Sequence, residues 1–325
     1  MRPFRTLLCA LGLALAATAF AQPAAEGYPS KPIHVIVPFP PGGTTEVMTR
    51  IIAEEMTKDW GQAVVVEMKP GASGNIGTQF AARAPADGYT IALGTQGTHG
   101  TNPLLFKDTA FDPFKDFEPL AMLAAAPLLL VVNTDTPVKS VKELVSYIRQ
   151  QPEGMAFAST SIGGGAHLAG EMFRKSTGLK LVHVPYKGSG PAKTDLMGGH
   201  VGMMFDNIAS SLPAAQAGQL RALATTGEQR SAAAPDLPTM HEAGVDGVVI
   251  DTWYALYAPA GTPKAIVRKL NAEIVRILQS PVVAKRFAAL GLDVVGGTPE
   301  ALAARMRSDV KRYGQVIKDA GITAE

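Results

Sequence analysis

The sequence predicts an α/β protein of two discontinuous lobes, joined by a two-strand hinge and separated by a cleft. Three observations carry this expectation. A short β-branched run, a glycine-rich loop and an amphipathic helix recur as a unit, which predicts α/β units and a largely parallel sheet. Two extended apolar stretches, residues 118–133 and 248–259, interrupt that pattern and suit a chain that leaves one lobe and later returns. The chain has 325 residues, 46% of them hydrophobic. That is enough for two domains at roughly 100–200 residues each, and it excludes intrinsic disorder.

Ahead of these units, residues 1–21 read as a secretory signal. Arg2 and Arg5 form a positive start, residues 7–20 are uncharged and apolar, and Ala19-Phe20-Ala21 offers a cleavage site before Gln22. A spanning helix needs about 20 apolar residues, and this run is shorter. The single cysteine, Cys9, falls inside the leader, so the mature chain is expected to carry neither a disulfide nor a thiolate site. Lys+Arg 30 against Asp+Glu 28 gives a net charge of +2. Without Arg2 and Arg5 the count is 28 of each sign, net zero. Balanced charge supplies no drive toward nucleic acid.

The first unit is the run 33–38, the loop Phe39-Pro40-Pro41-Gly42-Gly43-Thr44 and a helix from about residue 45 to 58, where Met48, Ile52 and Met56 recur at i+4. Residues 63–67, Pro70-Gly71-Ala72-Ser73-Gly74-Asn75 and a helix to Arg83 form the second. A third strand, 89–93, leads into Gly94-Thr95-Gln96-Gly97-Thr98-His99-Gly100. Residues 120–132 contain Pro127 and read as two buried strands, too short for a membrane span. The theme returns with the strand 155–158, the loop 159–165 and a helix through Lys175. It returns again with the strand 182–184, the loop 185–190 and a helix starting near Pro191. Helices at 264–279 and 299–320 close the chain. The expected division is one lobe of residues 22–124 and 253–325, and a second of residues 125–252.

Strand–glycine loop–helix units place backbone N–H groups and the positive end of a helix dipole at one spot. Parallel units put such loops on one edge of the sheet. The loops at Gly42-Gly43-Thr44 and 71–74 therefore suggest an anion cradle, with 159–165 and 186–190 facing it. Each loop alone is equally explained as a tight turn, and it is the recurrence of five that favours a shared cleft. No G-x-S-x-G elbow, H-E-x-x-H, Walker loop or G-x-G-x-x-G occurs, and the six histidines lack metal-ligand spacing. No cofactor is expected. Ser159, His167 and Tyr186 could be arranged as nucleophile and base, but no orienting group is visible in the sequence. His167 is equally readable as structural, and Tyr186 either touches ligand or closes a turn.

At these loops the sequence resembles the solute receptors of tripartite tricarboxylate transporters, the Bug-type periplasmic binding proteins. The motifs run from Tyr28-Pro29-x-Lys31-Pro32-Ile33, Val37-Pro38-Phe39-Pro40-Pro41-Gly42-Gly43 and Pro70-Gly71-Ala72-x-Gly74-x-Ile76-Gly77 to Pro85-x-Asp87-Gly88-Tyr89-Thr90. They continue with His183-Val184-Pro185-Tyr186-Lys187-Gly188, Pro238-Thr239-x-x-Glu242-x-Gly244 and Ala258-Pro259-Ala260-Gly261-Thr262-Pro263. The resemblance implies a type II-like periplasmic-binding-protein fold that closes on a small organic mono- or dicarboxylate, aromatic acids included. It further implies a monomer without catalytic activity that delivers its cargo to a two-subunit membrane permease. Ligand-binding candidates are Phe39, Gly42, Gly43, Thr44, Glu46, Gly74, Asn75 and Thr95 on one side. Ser159, Thr160, Gly164, His167, Tyr186 and Asp206 are the candidates on the other. Glu46 stands where the family usually has Asp, and Met68 where it commonly has Asn; the longer Glu46 is expected to reach into the cleft or displace a bridging water. The alternatives are a periplasmic hydrolase or isomerase using Ser159, His167 or Tyr186, and a receptor that reports ligand to a membrane sensor.

Overall fold

A computed structural model describes residues 26–323; the expected signal sequence and Cys9 lie outside the described residues. Four β-branched residues and His34 make β1 (Ile33–Val37), which pairs in parallel with β2 (Val64–Met68) and β3 (Thr90–Thr95). The connections are α1 (Thr44–Trp60) and α2 (Asn75–Ala82). Met48, Ile51, Ile52 and Met56 line the buried stripe of α1, and the helix stops at Gly61, whose φ of +65° suits a residue without Cβ. After α3 (Asn102–Leu105) the chain enters β4 (Phe117–Asn133). Contrary to the expectation of two strands, β4 is a single run of 17 residues that belongs to two sheets.

The second lobe is built on α4 (Val141–Arg149), β5 (Met155–Ser159), α5 (Gly165–Thr177), β6 (Leu181–Pro185), α6 (Ser189–Met197), β7 (Met203–Asn207), α7 (Ile208–Gln216) and β8 (Leu220–Thr225). The chain returns through β9 (Asp251–Pro259) and closes with α8 (Lys264–Leu278), α9 (Pro281–Ala288), β10 (Asp293–Gly296) and α10 (Pro299–Ala320). One sheet runs β2-β1-β3-β9-β4-β10 and the other β6-β5-β7-β4-β8. The sheets are mixed, not largely parallel as expected. β1–β2–β3 and β5–β6–β7 are parallel groups, whereas β4 pairs antiparallel with β7, β8, β9 and β10. The reason is topological. β4 carries the chain out of the first lobe and β9 brings it back, so the two run in opposite senses where they meet.

Pro127 marks the handover in β4. It faces Asp251 of β9, and the next residue, Leu128, already faces Asn207 of β7. Proline lacks an N–H for the ladder, and Thr226 stitches the neighbouring groups. Its hydroxyl accepts from the Leu128 N–H (2.9 Å) and donates to the Ile250 carbonyl (2.5 Å). Its amide donates to the Leu128 carbonyl, and its carbonyl accepts from the Ile250 N–H. One fully buried residue thus ties together the outgoing strand and the approach to the returning one.

The cores follow the sheets. Val35, Ile91 and Leu93 pack against Met48 and Ile52 of α1 and Leu270 and Ile274 of α8. Leu130, Phe157 and Phe205 pack against Leu144 of α4 and Leu168 and Phe173 of α5. Each such fully buried side chain stabilises the fold by roughly 1.5–3 kcal/mol. The helix α10 serves both lobes: Leu302 and Met306 join Trp253 and Tyr257, whereas Tyr313 and Ile317 join Phe173 and Phe205. Between them, buried Asp309 accepts from the Trp253 indole (2.6 Å) and pairs with Arg305 (3.0 Å) and Arg312 (3.1 Å); Arg305 also pairs with Asp251 at the start of β9. Among the described residues no helix is long and apolar enough to cross a membrane.

Candidate functional site

Besides α2 after Gly74, three helices begin at glycines that give their first turn no side-chain acceptor. They are α1 after Gly43 (φ −95°, ψ 169°), α5 after Gly164 (φ −70°, ψ 168°) and α6 after Gly188 (φ 104°). Two other helices, α4 and α10, have theirs capped by the Ser140 and Thr298 hydroxyls. The uncapped starts follow β1, β5 and β6, so they lie beyond the C-terminal ends of parallel strands. There the first-turn amides have no partner within the helix and the dipole favours negative charge.

On the first-lobe side, Gly74 sits so tightly that a Cβ there would lie 2.7 Å from Thr98 Cγ2 and 3.4 Å from the Phe39 ring. Thr95, the last residue of β3, exchanges hydrogen bonds with Thr98, 3.0 Å from its amide and 3.2 Å to its hydroxyl. Phe39, Gly74 and Thr95 are therefore brought together around Thr98. Asn75 is buried and accepts from the Asn102 side chain at 2.7 Å; the same Asn102 nitrogen also donates to the Ser73 carbonyl. Glu46 folds back onto its own helix start. Its carboxylate accepts from the Gly42 N–H (2.7 Å) and pairs with Arg50 (2.7 Å). These two contacts, the Gly42 amide first, hold its pKa below the usual carboxylate range. The longer side chain thus supplies an internal carboxylate to Gly42, while Gly43 has open space, its nearest neighbour for a Cβ being Thr45 Oγ1 at 3.8 Å.

On the second-lobe side, Ser159 at the end of β5 is fully buried. Its hydroxyl donates to the Ser161 carbonyl (3.0 Å) and lies 2.6 Å from His183 Nε2. The Ser159–His183 bond can run in either direction, according to which imidazole nitrogen carries the proton. His183 stacks on His167, with ring centroids 3.5 Å apart and planes 11° from parallel. His167 Nδ1 accepts from the Gly163 N–H at 3.0 Å, so its proton sits on Nε2. Burial keeps both imidazoles neutral, pulling His167 down to about 3 and His183 to about 4. The pair braces the β5–α5 loop from below. Thr160 accepts the Gly188 N–H through its carbonyl (3.0 Å), and Ser159 likewise accepts the Tyr186 N–H, which holds the loops before α5 and α6 side by side.

Tyr186 turns its hydroxyl to Asp195 on α6, donating at 2.7 Å, and that bond chiefly pushes its pKa up to about 12. A proton-transfer role for Tyr186 has no geometric support. Asp206 is fully buried at the end of β7 and takes hydrogen bonds from Ser189 (2.6 Å) and Ser211 (2.6 Å), one on each oxygen. It fastens the start of α6 to α7. The two walls meet where a Cβ at Gly165 would lie 3.7 Å from Gln96 Oε1 and 3.6 Å from Thr252 Oγ1, and where one at Gly163 would strike Leu105 at 1.8 Å.

Sequence reasoning passed over Gln96 and Thr98, although both stand in a loop it marked. A polar residue straight after an apolar strand was the available signal. The stacking of His183 on His167 has no signal in the sequence, where the two stand sixteen positions apart. Among the described residues no group of three or more His, Cys, Asp or Glu could hold a metal ion. The exposed donors are backbone amides, suited to an anion that only accepts hydrogen bonds.

Two sheets sharing a through-strand, with uncapped helix starts beyond the ends of parallel strands in each, define a two-lobed α/β solute-binding protein. The chain belongs to the receptors of the tripartite tricarboxylate transporters: the family model described as "Tripartite tricarboxylate transporter family receptor" matches residues 48–322. The resemblance carried by the loop motifs is thereby borne out, as is the fold class. The chain is similar to Protein BugT of Bordetella pertussis (strain Tohama I), 38% identical over 317 residues that cover 97% of each protein. Among solved structures it is similar to R. palustris Rpa4515 with adipate, at 38% identity, 91% of this chain, 99% of that one and a TM-score of 0.83. It is also similar to MatC from Rhodopseudomonas palustris with bound malate, at 34% identity, 89% of this chain, 100% of that one and a TM-score of 0.78.

Proposed function

We propose that this chain is a periplasmic receptor for a small organic mono- or dicarboxylate. The acid enters between a lobe of residues 22–124 and 253–325 and a lobe of residues 125–252, and is handed without turnover to a two-subunit membrane permease. The receptor works as a monomer. The observation that carries this reading is the set of uncapped, glycine-led helix starts at α1, α5 and α6, a site of backbone hydrogen-bond donors. Adipate and malate in two similar structures support a dicarboxylate, and the leader-like residues 1–21 support export. Full burial of Ser159 speaks against the hydrolase alternative. The ligand would stabilise the closed arrangement by touching both lobes, and the permease would read that arrangement.

Gly43→Val tests the reading at the seat. Gly43 has φ −95° and an open Cβ position, so the variant folds while its side chain covers the α1 amides. Calorimetric titration with adipate and malate should show one saturable site in the parent and at least tenfold weaker binding in the variant. A bound acid at a hundredfold excess over Kd should add about 2.7 kcal/mol to apparent stability. Equal affinity in the two proteins would remove this loop from the site. A parent that responds only to cations or neutral compounds would overturn the ligand class.

A further inference from the structure

Gln96 stands at the junction with side-chain chemistry that the fold leaves unused. It follows the last residue of β3, is 2% exposed, and its side-chain Nε2 has no hydrogen-bond partner. Buried amide groups are ordinarily paired. Its carboxamide lies against the first residue of α5 on the opposite lobe, where a Cβ at Gly165 would come within 3.7 Å of Oε1. A half-turn of the carboxamide exchanges its two ends, so Nε2 reaches the same place.

The surroundings supply donors, and the acceptors beside them, Gln96 Oε1 and the Thr252 hydroxyl, are uncharged. The 13-residue helix α5 has no side-chain cap at Gly164, so the amides of Gly165 and Ala166 in its first turn are without helical partners. The Gly163 amide is already taken by His167 Nδ1. Thr252 Oγ1 donates to Asn207 Oδ1 at 3.3 Å. What completes such a place is a group that only accepts, carries negative charge and has lone pairs in more than one direction, as a carboxylate does.

We infer that Gln96 Nε2 and the α5 first-turn amides together hold one carboxylate of the ligand, so that Gln96 makes the receptor selective for dicarboxylates over monocarboxylates. This rests on the receptor reading above and deepens it. Lobe one contributes Gln96 and lobe two contributes α5, so this carboxylate is bonded from both sides only when the lobes are together. An acid with a methyl group at that end leaves the Gln96 amide buried and unpaired, and a site built to hydrogen-bond a missing group rejects the analogue strongly.

The test is calorimetric titration of the parent, Gln96→Leu and Gln96→Glu with two pairs of acids, adipate against hexanoate and malate against 3-hydroxybutyrate. The parent should prefer a dicarboxylate by at least thirtyfold. Gln96→Leu should weaken that dicarboxylate at least tenfold and leave the monocarboxylate within threefold. Gln96→Glu should weaken it more than a hundredfold through charge repulsion. Because Nε2 has no partner in the free protein, the ligand-free Tm of Gln96→Leu should not fall, which separates recognition from a structural role. Dicarboxylate binding with unchanged selectivity in Gln96→Leu, or a lowered ligand-free Tm, overturns the assignment and leaves the receptor standing. A parent preferring monocarboxylates does the same. A parent that binds no carboxylate overturns both.

Discussion

Acidification from pH 7 to pH 5 should cost the folded protein about 2 kcal/mol through His99 alone. The residue lies in a π-helical turn after β3, fully buried, stacked on Tyr257 at 4.0 Å and flanked by Phe111 and Phe117. Nδ1 lies 2.9 Å from Thr98 Oγ1, and Nε2 has no partner. Burial in this aromatic cage pulls its pKa down to about 3, against about 6.5 in the unfolded chain. Between those values the unfolded state binds a proton that the folded state refuses. Stability therefore falls as pH drops below about 6.5 and stops falling, for this group, only near the folded value. By pH 5 the unfolded imidazole is almost fully charged, which gives the stated loss of about 2 kcal/mol. His167, 6% exposed and pulled to about 3, should add a similar loss. The assay is urea unfolding at both pH values of the parent and of His99→Phe, which keeps a ring on Tyr257 and removes the proton site. The variant should lose about 2 kcal/mol less than the parent between pH 7 and 5. Equal losses in the two proteins would refute the argument.

Two further outcomes follow from the hinge and the lobe contact. Thr226→Val keeps the side-chain shape but strips the hydroxyl that serves the Leu128 N–H and the Ile250 carbonyl. Denaturant unfolding should register a loss of about 1–3 kcal/mol, and a change below about 0.5 kcal/mol, the scatter of featureless sites, would mean these bonds do not hold the crossing. Gly163→Ala puts a methyl group 1.8 Å from Leu105 Cδ1 at a residue with φ +69°. Calorimetric titration should find carboxylate affinity reduced at least tenfold, with partial recovery in the double variant Gly163→Ala/Leu105→Ala. No recovery would place the defect in the loop's backbone instead of in the contact between lobes.

Much of the skeleton was legible because its signals are local. The apolar stripe of Met48, Ile52 and Met56 and the glycines around it placed α1 to within a few residues. The closing helix, periodic in Leu302, Met306 and Tyr313 and opened by Pro299, was placed with its observed bounds. α4, α9 and β10 were not among the expected elements; α9 and β10 are short, whereas α4 carried a legible signal in its Ser140–Glu143 cap and the apolar stripe of Val141, Leu144 and Ile148. The run 208–216 was passed over as well; it is rich in Ala and Ser and carries Pro213 inside the helix it forms. At the candidate site, the backbone logic of Gly42-Gly43 and 163–165 was legible, since glycine there answers to positive φ and uncapped amides. The side-chain partners were not. Glu46 was expected to project into the cleft, but an arginine one turn on and the Gly42 amide draw it back.

By itself, then, the sequence determined the alternation of strand, glycine loop and helix, the two apolar crossings and the family, because these are written in residue types at short spacing. Only the tertiary structure decided that β4 is one strand shared by two sheets, and that the sheets are mixed. It also decided that His183 lies on His167, and that Gln96 of one lobe lies against α5 of the other. Each of those depends on which distant segments pack together, and that choice is made by burial of the whole apolar surface at once.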